Sequence, residues 1–200
     1  EEVTSANGVS VDGVTIKDGQ VPASAGSSLV YLAKYTADDS VATTYFNLGS
    51  YASFSTYKLH FENVIPSQNN KYLLLTVSTN TTAISTGYYS GVLHFTSNGS
   101  ASNHPEGVST AVLLTLAGNT GNASGECGVS GEAYIFGALN SAIYTSGQSR
   151  TTEYEQSDYV QLYQSAGVLR TATSHPYIHL TTNASTIKSG SIVLFGVKNA

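Results

Sequence analysis

Glu153 and Glu155 stand two residues apart, with Asp158 close behind. On a strand the two glutamates would share a face about 7 Å apart and could act as the carboxylate pair of a glycosidase, one protonating the leaving oxygen. Most carboxylates at this spacing point into water, and a solvated loop or edge is the expected setting here. His175 and His179 form the closest histidine pair. Four residues along a strand separate their side chains by about 13 Å, too far for one metal whose nitrogen ligands lie about 2 Å away. A bend at Pro176 would shorten the span, and His94 and His104 would be further ligands if the fold gathered them. Packing or surface histidines, with no metal, are the expectation, and His60 falls on the wet side of its strand. Cys127 is the single cysteine, which forbids an internal disulfide and leaves stability to packing and assembly. No Ser-His-Asp set, phosphate-binding loop, zinc spacing or calcium loop stands out, so the chain reads as non-enzymatic and in need of no cofactor.

A different set of side chains suits recognition. The chain has 14 tyrosines, and Tyr88, Tyr89, Tyr144, Tyr154 and Tyr163 are candidates for contacts with a glycan or protein. Tyrosine beside asparagine and serine gives aromatic platforms and adaptable hydrogen bonds at low entropic cost. The competing role is ordinary strand packing, which the β-propensity of tyrosine favours.

The surface that carries such residues is polar but mostly uncharged. Charged residues make up only 10% of the 200-residue chain, against roughly a quarter in typical globular proteins. A net charge of −5 with eight lysines and arginines, none clustered, offers no footprint for a phosphate backbone, so nucleic acid is excluded as an expected partner. No apolar run reaches the length of a membrane span, and no basic stretch followed by an apolar one marks a secretory signal. Starting at Glu1 without Met is consistent with a processed product or a segment of a longer protein.

Short runs rich in Val, Ile, Leu, Tyr and Phe predict strands over residues 44–48, 54–64, 72–79, 88–96, 110–117, 129–138, 158–164, 177–181 and 191–197. Turn clusters at 97–100, 118–122 and 146–149 separate them. No stretch carries a capped helical stripe, so the fold class is all-β, an antiparallel, jelly-roll-like β-sandwich. Within 54–64, Tyr57, Leu59 and Phe61 share the core side, while Lys58, His60 and Glu62 share the wet side. Residues 191–197 and 71–77 are apolar on both faces, which asks for a second cover from another chain, a loop or the N-terminal segment. Four N-x-S/T sites, at Asn80, Asn98, Asn122 and Asn183, mark surface turns.

Ahead of this body, Asn7-Gly8-Val9-Ser10-Val11, Asp12-Gly13-Val14-Thr15-Ile16 and Lys17-Asp18-Gly19 repeat a turn dipeptide followed by a short alternating strand. Val9, Val11, Val14 and Ile16 give each strand an apolar face too small to bury alone, which points to assembly with the domain or with other copies. Residues 1–36 are therefore assigned to a connector or trimerisation stub and 37–200 to the sandwich.

The stretch from Asn7 to Gly19 resembles the connector that precedes β-rich domains in tail-fibre and related virion proteins of tailed bacteriophages. His60-Phe61-Glu62-Asn63-Val64-Ile65-Pro66 followed by Leu73-Leu74-Leu75-Thr76-Val77-Ser78 resembles the strands that open a β-sandwich module of such fibres. Gly128-Val129-Ser130-Gly131-Glu132 is similar to its middle strand, and residues 189–197 are similar to its closing strand, with Phe195 in place of Tyr and Ser191 in place of Thr. The resemblance implies a structural protein of the virion, a homotrimer of tail-fibre type that presents a sandwich for host attachment. Its partners would be its own copies, other tail or capsid proteins and a host-surface glycan or protein. A capsid head fibre or decoration protein is the alternative within that class; a carbohydrate-binding module or small glycan hydrolase is the alternative outside it.

Overall fold

Period-two patterning builds the interior. Tyr57, Leu59 and Phe61 are fully buried, and Lys58, His60 and Glu62 lie on the other face of the same strand. The computed structural model describes residues 9–11, 14–16, 28–84, 86–109, 113–123, 125–154 and 159–198. A separate hairpin pairs β1 (Val9–Val11) with β2 (Val14–Ile16), matching Val9 to Ile16 and Val11 to Val14. The four residues assigned to assembly are thus register partners of one another.

The body follows as β3 (Leu29–Thr36), β4 (Thr43–Asn47), a 3-10 turn (Leu48–Tyr51), β5 (Thr56–Pro66), β6 (Lys71–Ser78), β7 (Tyr88–Thr96) and β8 (Ala101–Ser109). It continues with β9 (Leu114–Thr120), β10 (Val129–Phe136), β11 (Thr145–Tyr154), β12 (Val160–Leu169), β13 (Tyr177–Thr182) and β14 (Ile187–Val197). Eight strands form one antiparallel sheet in the order β3-β14-β5-β10-β11-β12-β7-β8, and four form a second, β4-β13-β6-β9. The described residues contain no α-helix. The all-β sandwich read from the sequence is the fold of the body.

Between the sheets lie Leu59, Phe61, Ile135 and Leu194 from the large one and Leu75, Val77, Leu116, Ile178 and Leu180 from the small one, all without solvent exposure. Each such side chain contributes about 1.5–3 kcal/mol on burial.

Several parts of the sequence fold differently from expectation, among them residues 101–109, where no strand was expected and β8 forms beside β7. Residues 29–36, left in the connector, pair with β14 along its length and form an edge of the large sheet. The supposed turn at 146–149 lies in the first half of β11, in register with both β10 and β12. Gly147 is there for close approach: a Cβ would stand 3.0 Å from the Tyr134 carbonyl oxygen and 3.2 Å from Leu114 of the facing sheet. Gly118 and Thr120, expected in a turn, belong to β9.

One junction ties distant segments together. Asn63 adopts φ 51°, and its Oδ1 accepts from the Gly128 N–H at 2.7 Å while its own N–H donates to Ser130 Oγ at 3.0 Å. Beside it Ser191 Oγ donates to Glu62 at 3.0 Å, and Gly190, at φ 101°, lies against the Asn63 backbone. Register shifts in β5–β10 and β5–β14 pairing fall at this point, the mark of a bulge built into three adjacent strands.

Candidate functional site

Outward-facing residues of the large sheet form cross-strand rows. One row runs Gly91, Ala166, Gln148, Tyr134, Lys58 across β7, β12, β11, β10 and β5; the next runs Leu93, Gln164, Arg150, Glu132, His60. Small side chains at Gly91 and Ala166 leave a depression between larger neighbours, an open groove of about 610 Å³. Its volume lies within the range of small-ligand sites.

The groove's walls are fixed. Lys58 Nζ sits 2.5 Å from Glu132 Oε2 and 5.4 Å from the centre of the Tyr134 ring, and Phe136 lies nearly parallel to Tyr134 with centroids 6.4 Å apart. Glu132 and the ring hold Lys58 in its charged form, raising its pKa above the ordinary lysine value. Among the described residues Arg150 has no ion-pair partner, and the side chains of Gln148 and Gln164 bond to no other group. The groove therefore offers one uncompensated cation, two amides that each donate and accept, and an immobilised phenol. To one side Leu93, Phe95 and Val160 are 43%, 42% and 52% exposed, an apolar margin unusual in so polar a surface.

Sequence reasoning missed this site because its middle strand is β11, whose first half, residues 146–149, was taken for a turn. Once 145–154 is read as a strand, Gln148 and Arg150 fall on one face and would have drawn attention. The tyrosines chosen for recognition scatter. Tyr88 is fully buried, and Tyr163 is only 6% exposed with its hydroxyl 3.0 Å from the Gly118 carbonyl oxygen. Both serve the interior, as their strand positions make them face the second sheet. Tyr89 is exposed, with the Arg170 guanidinium 4.7 Å from its ring centre. Tyr144 is exposed in the approach to β11 and Tyr154, half-buried, ends that strand; neither lines the groove.

The residues weighed for catalysis or metal binding are separated. Glu153 lies on the inner face of β11, 3% exposed, where it accepts from the Gly118 N–H at 3.1 Å and from the Thr120 hydroxyl. The solvated loop or edge expected from sequence is therefore corrected: odd-numbered positions of β11 face the other sheet. Glu155 and Asp158 lie outside the described residues. His175 precedes β13 and meets Thr145 Oγ1 at 2.8 Å through Nδ1, whereas His179 meets Ser78 Oγ at 2.7 Å through Nε2. Burial pushes both imidazoles toward the neutral form. His94 stacks on Tyr163 at 4.8 Å. Among the described residues no three His, Cys, Asp or Glu side chains gather where a metal ion could be held, and Cys127 is an exposed thiol.

Comparison with models of protein families, with curated proteins and with solved structures returns no match.

Proposed function

We propose that the chain is a non-enzymatic structural component of a tailed-bacteriophage virion, of tail-fibre type, which assembles as a homotrimer and attaches to the host surface through the outer face of its large sheet. The observation that carries this reading is the junction at Asn63. Segments 60–66, 128–132 and 189–197, which resemble the fibre module and are far apart in sequence, are adjacent strands β5, β10 and β14 interlocked through Asn63, Glu62, Ser130 and Ser191. They act as one structural unit, which supports a shared module more strongly than any segment alone. The interior setting of Glu153 supports the non-enzymatic part, since a carboxylate held by Gly118 and Thr120 has no route to a substrate.

Three copies joined through the hairpin would act by avidity, so a groove of modest affinity suffices for attachment. Light scattering on the whole chain, and on a chain beginning at Ser28 so that β3 is kept, tests the assembly. A trimer that weakens without residues 1–27 is the expected result. A monomer in both forms overturns the fibre reading in favour of a free glycan-binding module.

A further inference from the structure

The geometry points to a binding site for a carboxylate-bearing saccharide in the groove between Tyr134 and Leu93, with Arg150 as its anion-recognising residue. The inference deepens the attachment role proposed above and rests on it. Two rows of outward side chains, Tyr134-Gln148-Ala166-Gly91 and Glu132-Arg150-Gln164-Leu93, cross four strands in register. Strands about 4.8 Å apart make the groove about 14 Å long, and the rows lie about 7 Å from each other. That is a shallow trough suited to a short oligosaccharide lying across the strands.

Chemistry selects the class of sugar. Glu132 is neutralised by Lys58 at 2.5 Å, so the Arg150 guanidinium supplies a net positive charge to the trough of a chain whose overall charge is −5. A planar guanidinium matches a carboxylate through paired N–H donors. Gln148 and Gln164 flank it, one along the strand and one directly opposite, and both can donate to and accept from ring hydroxyls. Gly91 and Ala166 provide a low floor without polar side-chain atoms, on which the C–H face of a sugar can rest, and the clamped Tyr134 ring closes one end. A nucleic acid or polyphosphate would call for several cations, whereas the trough carries one uncompensated charge.

The test is retention of the whole chain on an array of immobilised glycans containing uronic-acid, sialic-acid and neutral saccharides, with the solution mass measured on the same preparation. Gly91 is a benign site for blocking, because a Cβ there meets nothing within 4 Å and its backbone is not left-handed. Gly91→Leu should fold normally and fill the trough, and Arg150→Gln should remove the charge. We expect retention on carboxylated saccharides, reduced about 10- to 100-fold by either substitution and weakened by salt. Retention confined to neutral saccharides, retention indifferent to both substitutions, or none on any glycan overturns the assignment. A trimer that retains no glycan leaves the fibre reading standing; a monomer that retains carboxylated glycans overturns the fibre reading and leaves the site.

Discussion

The Tyr88 hydroxyl makes two hydrogen bonds to the backbone of Val77, donating to its carbonyl oxygen at 2.9 Å and accepting from its N–H at 3.1 Å. Val77 pairs with Ile178 on one side, and among the described residues the pairing of β9 with β6 on the other side runs only as far as Leu75. There the phenol, reaching across from the large sheet, satisfies both backbone groups of Val77. Burial pushes its ionisation up to about 12.

Tyr88→Phe should therefore destabilise the fold by about 1–3 kcal/mol, because it leaves a buried N–H without an acceptor and the carbonyl with only the longer bond from Ile84 at 3.4 Å. Urea unfolding of the two proteins measures this. A difference below about 0.5 kcal/mol would mean that water or a local shift replaces the hydroxyl.

The buried imidazoles predict an acid-side loss of stability. His175 and His179 are both without solvent exposure, and desolvation lowers their pKa below the ordinary histidine value. Below about pH 6.5 the unfolded chain takes up protons that the folded one excludes, so stability is full above that pH and falls as pH drops toward the folded pKa values. The limiting slope is about 1.4 kcal/mol per pH unit for each histidine. Urea midpoints at pH 7.5, 6 and 5 should decline; a flat profile would show that neither ring is held neutral.

Glu153 gives a way to separate structure from catalysis. Glu153→Ala removes the acceptor for the Gly118 N–H and the Thr120 hydroxyl and should cost about 1–3 kcal/mol. Glu153→Gln keeps an acceptor and a donor in the same shape and should cost less. Thermal melts of both variants rank them, and equal melting temperatures for all three proteins would exclude a structural role.

How far the sequence revealed this follows from which side chains face inward. Strands β5 and β14 carry bulky apolar residues on the core side, Leu59 and Phe61 in one and Ile192 and Leu194 in the other, and periodicity finds them. The inner face of β11 is Thr145, Gly147, Ser149, Thr151 and Glu153, all buried without one apolar side chain. Small and polar residues are needed there because β9 crosses closely, with Thr151 donating to the Leu116 carbonyl, and because Ser149 bonds Ser165 of the adjacent β12 at 2.7 Å. Hydrophobic patterning has nothing to register in such a strand, so the groove on its outer face went unseen with it. Strand β3 was missed for another reason, that an edge strand with exposed Tyr31 and half-buried neighbours looks like the linker before it.

The junction at Asn63 makes the last prediction. Gly190 sits at φ 101°, a region L side chains rarely adopt, and a Cβ there would run into the Asn63 carbonyl and come within 2.7 Å of Val64 Cα. Neither contact is a flexible side-chain end that could swing away. Gly190→Ala must strain its own backbone or push β5 off β14, and it should destabilise by about 2 kcal/mol or more. Gly91→Ala, in open space on the same sheet, should stay within about 0.5 kcal/mol of the parent. Asn63→Ala should fall between them, since it loses the bond to the Gly128 N–H at 2.7 Å and puts a less tolerant residue at φ 51°. Chemical denaturation of the three variants tests the order. If Gly190→Ala proves as mild as Gly91→Ala, the bulge is plastic, and interlocking at Asn63 does not explain why the three segments hold these sequences.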